Sequence, residues 1–185
     1  HCPHGRAGAV ATGMKRVNPN NIIITYQGDG DAYNIGIAES INAAYRNENI
    51  TVITVNNTNF GMTGGQMAPT TLPGMKATTA KAGRDPKING NPLRVSEMLA
   101  TLTGPAYIER VSVSTPAQVT AAKKAIRKAF EIQKQGLGFT FIEVVSSCPT
   151  NWGLTPVKAM EFVREKMIPY YPLGVFKDIT AEEGK

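Results

Sequence analysis

Ile22 to Gln66 reads IIITYQGDGDAYNIGIAESINAAYRNENITVITVNNTNFGMTGGQ. The stretch opens on an apolar, β-branched run, Ile22-Ile23-Ile24-Thr25-Tyr26, of a length that fits a buried strand. Gly28-Asp29-Gly30 follows at once. Ala32 to Arg46 then has helical spacing, with Ile35, Ile37, Ala38, Ile41 and Tyr45 expected on its buried side. A second apolar run, Ile50 to Val55, reads as another buried strand and ends in Asn56-Asn57. Strand, helix and strand form one βαβ crossover. The fold class this predicts is α/β, with a mostly parallel sheet and helices on both faces.

Parallel strands joined by a crossover present their carboxyl ends on one edge of the sheet, where open α/β sheets bind ligands. Asp29 and Asn57 are therefore expected at neighbouring strand ends. Gly28 and Gly30 flank Asp29 without a Cβ, so backbone there can approach a bulky anion. A helix starting near Ala32 would aim its free N–H groups at the same crevice. A carboxylate, an amide oxygen and a helix N-terminus suit a diphosphate held through Mg²⁺, a cation that takes about six hard oxygens. Singly, Gly-Asp-Gly is a turn and Asn-Asn is common loop chemistry. Joined by one strand–helix–strand unit and followed by the glycine-rich Asn59 to Gln66, they argue for a cofactor site.

The remaining chain extends this plan. Its 185 residues set one domain over 1–185 as the default, and 42% hydrophobic against 18% charged residues is ordinary for a protein with a sizeable core. Arg6 to Val17 reads as a helix of small residues, suited to close packing on the sheet or another subunit. Met67 to Asn91 is rich in proline and glycine and lacks periodicity; loops this long tend to be functional or to lie on a partner. Pro92 to Thr103 returns to helical spacing. Tyr107 to Val113 and Phe139 to Val145 are further strands, and a helix between them begins with Ser114 or Thr115 as cap, Pro116 in its first turn, and ends at Gln135. Its polar side carries Lys123, Lys124, Arg127, Lys128 and Lys134, read as a solvated face or as a dock for an acidic electron carrier. A last helix is expected over Pro156 to Met167, with Tyr170-Tyr171-Pro172 on the sheet edge or on another subunit.

Composition excludes several classes. No apolar run approaches the ~20 residues of a membrane span, and no signal peptide is visible. The formal charge of +6 admits an anionic cofactor or an acidic partner. Yet no Lys/Arg block is longer than a pair and no zinc-finger spacing occurs, which argues against nucleic acid. Cys2 and Cys148 are too few for a disulfide framework and read as reduced thiols, hence a cytoplasmic setting. G-x-G-x-x-G is missing after the first strand, which disfavours a nicotinamide dinucleotide protein.

Gly28-Asp29-Gly30, the span Asp31 to Val55 and then Asn56-Asn57 match the thiamine diphosphate motif. Together with NNTNFGMTGGQMAPTT (56–71), His4-Gly5-Arg6 and CPTNWG (148–153), the chain resembles the thiamine-binding β subunit of 2-oxoacid:ferredoxin oxidoreductases over almost its whole length. The resemblance implies a three-layer thiamine diphosphate-binding fold. It implies oxidative decarboxylation of a 2-oxoacid to an acyl-coenzyme A with electrons passed to ferredoxin. The GMTGGQMAPTT loop and the NWGLTPVKAMEFV tail look most like 2-oxoisovalerate (branched-chain) members, with 2-oxoglutarate and pyruvate enzymes as alternatives. A non-catalytic scaffold subunit that keeps the fold is a further alternative.

By the same resemblance, His4, Gly28, Asp29, Gly30, Asp31, Asn57, Thr63, Gly64 and Gly65 contact the cofactor. Asp29, the Asn57 side chain and the Asn59 main-chain carbonyl would coordinate Mg²⁺. His4 also reads as a helix-opening residue bonded to backbone, and Arg6 as either a phosphate contact or a surface cation. Cys148 stands where the family places the last ligand of a [4Fe–4S] cluster, the other reading being a buried thiol. Two cysteines cannot complete a four-thiolate shell. The activating glutamate would come from a companion subunit. The opening HCPHGRAGAV lacks Met, and the family carries a Cys-x-x-Cys segment upstream, so a preceding segment is expected.

Overall fold

The structure, a computed structural model, describes residues 1–181. The last four residues of the domain expected over 1–185 lie outside the described residues. Helix α1 (Ala7–Val17) leads into strand β1 (Ile24–Gly28). Asp29 and Gly30 already carry helical backbone. They are followed by a π-type turn over Asp31–Ile35, Gly36, and helix α2 (Ile37–Tyr45). Strand β2 (Thr51–Asn56) pairs in parallel with β1, with Gly28 opposite Val55, so the two strand ends lie side by side.

A short hairpin comes next, β3 (Asn59–Phe60) with β4 (Gln66–Met67). Helices α3 (Pro86–Asn89) and α4 (Val95–Ala100) precede β5 (Tyr107–Ser112). Helix α5 (Pro116–Lys134) starts on Thr115, whose side chain accepts from the Gln118 N–H, and Pro116 fits the first turn where no N–H is required. Strand β6 (Thr140–Val145), helices α6 (Pro149–Trp152), α7 (Pro156–Phe162) and α8 (Ile168–Tyr170), and strand β7 (Gly174–Asp178) follow, and a short 3₁₀ turn, Ile179–Ala181, ends the described residues.

The main sheet has the order β1-β2-β6-β5-β7, all parallel except β7, which runs antiparallel to β5 at one edge. One face packs Ile23, Ile50, Val52, Ile108 and Phe141 under α1, α2 and α4 through Ala11, Ala43, Ala44, Val95 and Leu99. The other packs Ile53, Tyr107, Val111 and Ile142 under α5 through Ala122, Ala125, Ala129 and Ile132. Helices on both faces explain why β6 is buried throughout and reads as a continuous apolar run.

Several expectations need correction. The first strand was expected at Ile22 to Tyr26 and buried. It lies two residues later, at the sheet edge, so its side chains alternate: Thr25 and Gln27 are buried while Tyr26 is 73% exposed. The helix after it starts at Asp29, earlier than Ala32, and buries Ala32, Tyr33, Ser40, Ala43 and Ala44, whereas Ile35 and Tyr45 are exposed. A π turn inserts one residue, which rotates the following face by about 100° relative to an uninterrupted helix. Gly36 sits at that break because a Cβ there would overlap the Gly5 backbone.

The helix expected over Pro92 to Thr103 shrinks to α4, although Leu93 and Leu102 still pack on the core. The helix from Pro156 continues past Met167 through a second π turn, Val163–Met167, into α8. Tyr171 is fully buried within this chain, and β7 has no counterpart in the sequence reading. Among the described residues no helix is long and apolar enough to cross a membrane.

Candidate functional site

The parallel pairing of β1 and β2 delivers Asp29 and Asn57 to one rim. A cleft of about 290 Å³ opens there, lined by His4, Gly28, Asp29, Gly30, Asp31, Asn57, Asn59 and Thr63, with Ile35, Phe60, Gly61 and Met62 as its less polar wall. Gly64 and Gly65 do not line it. They close the β3–β4 turn behind it at positive φ, and a Cβ at Gly65 would crowd Asn151. Thr63 is tied within the same turn, donating to Gln66 Oε1 at 2.6 Å.

Asp29 is the floor of the cleft, only 1% exposed. Its Oδ1 accepts from the Gly30 N–H at 3.0 Å and its Oδ2 from the Thr70 hydroxyl. Burial raises its pKa to about 7, Glu143 adds to the rise, and the Thr70 and Gly30 hydrogen bonds oppose it. One arm of the Asn57 carboxamide lies 3.2 Å from Asp29 Oδ1 and 2.8 Å from the Asn59 carbonyl oxygen. Turned with nitrogen inward, the amide donates to both, which satisfies the chain by itself. Turned with oxygen inward, three acceptor oxygens face one another, an arrangement that calls for a cation. Asn59 Oδ1, also buried, has no hydrogen-bond partner among the described residues.

The turn that presents these oxygens is held from beneath. Asn56 Nδ2 donates to Glu143 Oε1 at 2.8 Å, while Asn56 Oδ1 accepts from the Thr58 N–H at 3.2 Å. Thr58 is a β-branched residue at φ 61°, a costly left-handed conformation. Thr71 fixes it by donating its hydroxyl to the Thr58 carbonyl at 2.5 Å.

Asp31 has a different environment. Its Oδ1 accepts from the Gly5 N–H at 2.8 Å and lies 2.7 Å from His4 Nδ1, and its Oδ2 accepts from Gln27 Nε2 at 2.6 Å. Asp31 therefore ties the N-terminal loop to the cleft and orients the exposed His4 ring at its mouth. Arg6 forms an ion pair with Glu39 on α2.

Compared with known proteins, the chain is 48% identical to the ketoisovalerate oxidoreductase subunit VorA of Methanothermobacter thermautotrophicus, over 97% of this chain and 38% of that relative. It is 35% identical to the 2-oxoglutarate synthase subunit KorB of Archaeoglobus fulgidus, over 99% of this chain and 68% of the relative. The solved 2-oxoglutarate:ferredoxin oxidoreductase from Magnetococcus marinus, with 2-oxoglutarate, coenzyme A and succinyl-CoA bound, superposes with a TM-score of 0.72 at 26% identity, covering 95% of this chain and 62% of that one. Residues 1–144 match the family described as thiamine pyrophosphate enzyme, C-terminal TPP binding domain. The chain belongs to this thiamine pyrophosphate-binding family, among the 2-oxoacid:ferredoxin oxidoreductase β subunits. It spans well under half of the ketoisovalerate relative's length.

For a thiamine pyrophosphate enzyme the donor set fits a hard divalent cation: one carboxylate, one carboxamide and one main-chain carbonyl, all oxygen. Gly28 faces open space, so a pyrophosphate could approach the backbone beside Asp29. Cys148 stands just beyond the carboxyl end of β6, and its Sγ accepts from Asn151 Nδ2 at 3.2 Å. Among the described residues no three His, Cys, Asp or Glu side chains gather to hold a metal ion.

Sequence reading missed Thr70, Thr71, Arg110 and Glu143. The two threonines lie in the irregular Met67 to Asn91 stretch, where nothing periodic marks them. Arg110 and Glu143 did leave a signal, as charges inside otherwise apolar strands.

Proposed function

We propose that this chain is the thiamine diphosphate- and Mg²⁺-binding portion of a 2-oxoacid:ferredoxin oxidoreductase. The net reaction converts a 2-oxoacid, coenzyme A and two oxidised ferredoxins into acyl-coenzyme A, CO₂, a proton and two reduced ferredoxins. When bound, thiamine diphosphate supplies the nucleophilic thiazolium carbon and the electron sink for decarboxylation.

The chain's own residues hold and orient. Asp29 Oδ1, the Asn57 carboxamide oxygen and the Asn59 carbonyl ligate Mg²⁺. Gly28 and Gly30 leave room for the diphosphate. Asp31 fixes His4 at the mouth, and Thr63 borders the opening, with Gly64 and Gly65 shaping the turn behind it. The activating carboxylate is assigned to a companion subunit, since among the described residues no glutamate lines the cleft. Cys148 is assigned to an iron–sulfur cluster completed by residues outside this chain, and Cys148→Ser should then remove cluster absorbance.

The observation that carries this reading is the convergence of the Asp29 carboxylate and the Asn59 carbonyl on one arm of the Asn57 carboxamide, at 3.2 and 2.8 Å, on a buried floor between neighbouring strand ends. Calorimetric titration of the intact complex with thiamine diphosphate, with and without Mg²⁺, tests it. Saturable, Mg²⁺-dependent heat is expected, and its absence would leave the scaffold reading.

The substrate is assigned as 2-oxoisovalerate, supported by the 48% identity to a ketoisovalerate oxidoreductase subunit. The 2-oxoglutarate alternative rests on the KorB relatives, which align over nearly the whole chain. Reduction of ferredoxin with each 2-oxoacid and coenzyme A separates the two, the larger kcat/KM deciding.

A further inference from the structure

Thr70 is fully buried, and its hydroxyl donates to Asp29 Oδ2, the carboxylate oxygen turned away from Asn57 and Asn59. Its carbonyl accepts from the Tyr171 hydroxyl at 2.7 Å. The next residue, Thr71, grips the Asn57–Asn59 turn through Thr58. Two adjacent threonines thus bind both halves of the proposed cation site, one to each strand end.

What holds the threonines is Arg84, which is 5% exposed. Its Nη1 donates to the carbonyls of Ala68, Pro69 and Thr71 at 3.1, 2.9 and 2.9 Å. Its Nε and Nη2 donate to Gly90, Asn89 and Asn91 at 2.9, 3.2 and 3.1 Å. Among the described residues no carboxylate forms an ion pair with it. A guanidinium has five N–H donors in a rigid planar fork. Spent entirely on backbone carbonyls, they fix the path of a loop that contains little regular structure.

We infer that Thr70 is a positioning residue for the divalent cation, seated by Arg84, and that it makes Asp29 a one-oxygen ligand. The inference rests on the reading of Asp29, Asn57 and Asn59 as the Mg²⁺ site. With Oδ2 held by the hydroxyl, only Oδ1 faces the other donors. Mg²⁺ demands near-ideal octahedral geometry, whereas Ca²⁺ accepts a two-oxygen carboxylate and irregular coordination. Removing the hydroxyl frees Asp29 to rotate and offer both oxygens, which penalises Mg²⁺ more than Ca²⁺.

The test is calorimetric titration of Mg²⁺ and of Ca²⁺ into the intact complex with saturating thiamine diphosphate, comparing wild type, Thr70→Val and Thr70→Ser. Thr70→Val should weaken Mg²⁺ about 10–100-fold, the range for loss of a residue that orients a metal ligand. Ca²⁺ should weaken by a smaller factor, and Thr70→Ser should recover wild-type Mg²⁺ affinity. If Thr70→Val does not fold, Thr70→Ala replaces it in the same comparison. Wild type without metal-dependent cofactor heat would overturn the cation site itself. Wild-type binding with unchanged Mg²⁺ affinity in the donor-less variant, equal loss of both metals, or no recovery by serine would overturn the positioning role alone.

Discussion

Arg110 on β5 and Glu143 on β6 face each other in register, Arg110 Nε donating to Glu143 Oε2 at 2.7 Å with both side chains fully buried. Ser96 donates to the same oxygen at 2.6 Å and Asn56 to the other at 2.8 Å, so the carboxylate is fully engaged. The guanidinium continues to Glu97 and lies over the Tyr171 and Phe176 rings. The pair therefore links α4 and the C-terminal segment to the strand end that carries Asn57.

Removing one partner of such a pair leaves an uncompensated charge in the interior. Arg110→Met strands Glu143 and should cost about 3–5 kcal/mol. Glu143→Gln should cost less, because Glu97 still neutralises Arg110. Chemical denaturation of the intact protein measures both; near-equal losses, or a loss under about 1 kcal/mol for Arg110→Met, would show that the interior screens the charge.

Gly30 is fixed by space and not by backbone conformation, since its φ is −63°. A Cβ there would overlap the Phe60 ring across the cleft wall. Gly30→Ala should therefore destabilise by about 1–3 kcal/mol, the usual range for overpacking. In Phe60→Leu the same substitution should cost less, giving a non-additive double-mutant cycle. Additive costs would mean that Phe60 is not the obstacle.

Asp29 sets a pH dependence. Its carboxyl group has an ordinary value of 3.8 and is raised to about 7 in the folded chain. Between those values the native state keeps a proton that the unfolded chain has lost. Metal-free stability should therefore fall as pH rises from about 4 to 7 and level off above, by up to about 4 kcal/mol in total. A cation favours the ionised form, so Mg²⁺ affinity should grow over the same window. Thermal melts from about pH 5 to about pH 8, with chelator and with excess Mg²⁺, read both trends. Chelated protein that gains stability with pH would contradict the raised value.

The crossover was legible because Ile50 to Val55 and the Gly-Asp-Gly after the first run carry strong local signals, and parallel pairing then forces Asp29 beside Asn57. The phase of the intervening helix was not, because the π turn at Asp31–Ile35 is set by packing of Gly36 on Gly5, remote in sequence. Edge position hid the alternation of β1, whose Ile22–Ile24 run looks fully buried. The Met67 to Asn91 stretch read as functional or as a surface for a partner, but its internal order was hidden, because one arginine and two threonines order it through side chain-to-backbone bonds that leave no period. Strand β7 escaped for a similar reason: Val175 and Phe176 sit among residues without alternation, and their partner strand lies 64 to 71 positions earlier, with Val175 opposite Glu109.

Asp29→Asn separates the cost of the buried carboxylate from its use. The substitution keeps shape while removing the charge that burial disfavours. Asn Oδ1 can still accept from the Gly30 N–H, and the Thr70 hydroxyl can reverse to accept from the new amide. Metal-free stability near pH 8 should therefore rise by about 1–4 kcal/mol, and its decline between about pH 4 and 7 should vanish. At the same time a neutral amide in place of the carboxylate should abolish Mg²⁺-dependent cofactor binding, as the three-oxygen set loses its only charge. A variant that is no more stable than wild type without metal would show that Asp29 is ionised there at little cost. One that still binds thiamine diphosphate in a Mg²⁺-dependent way would move the cation away from this rim altogether.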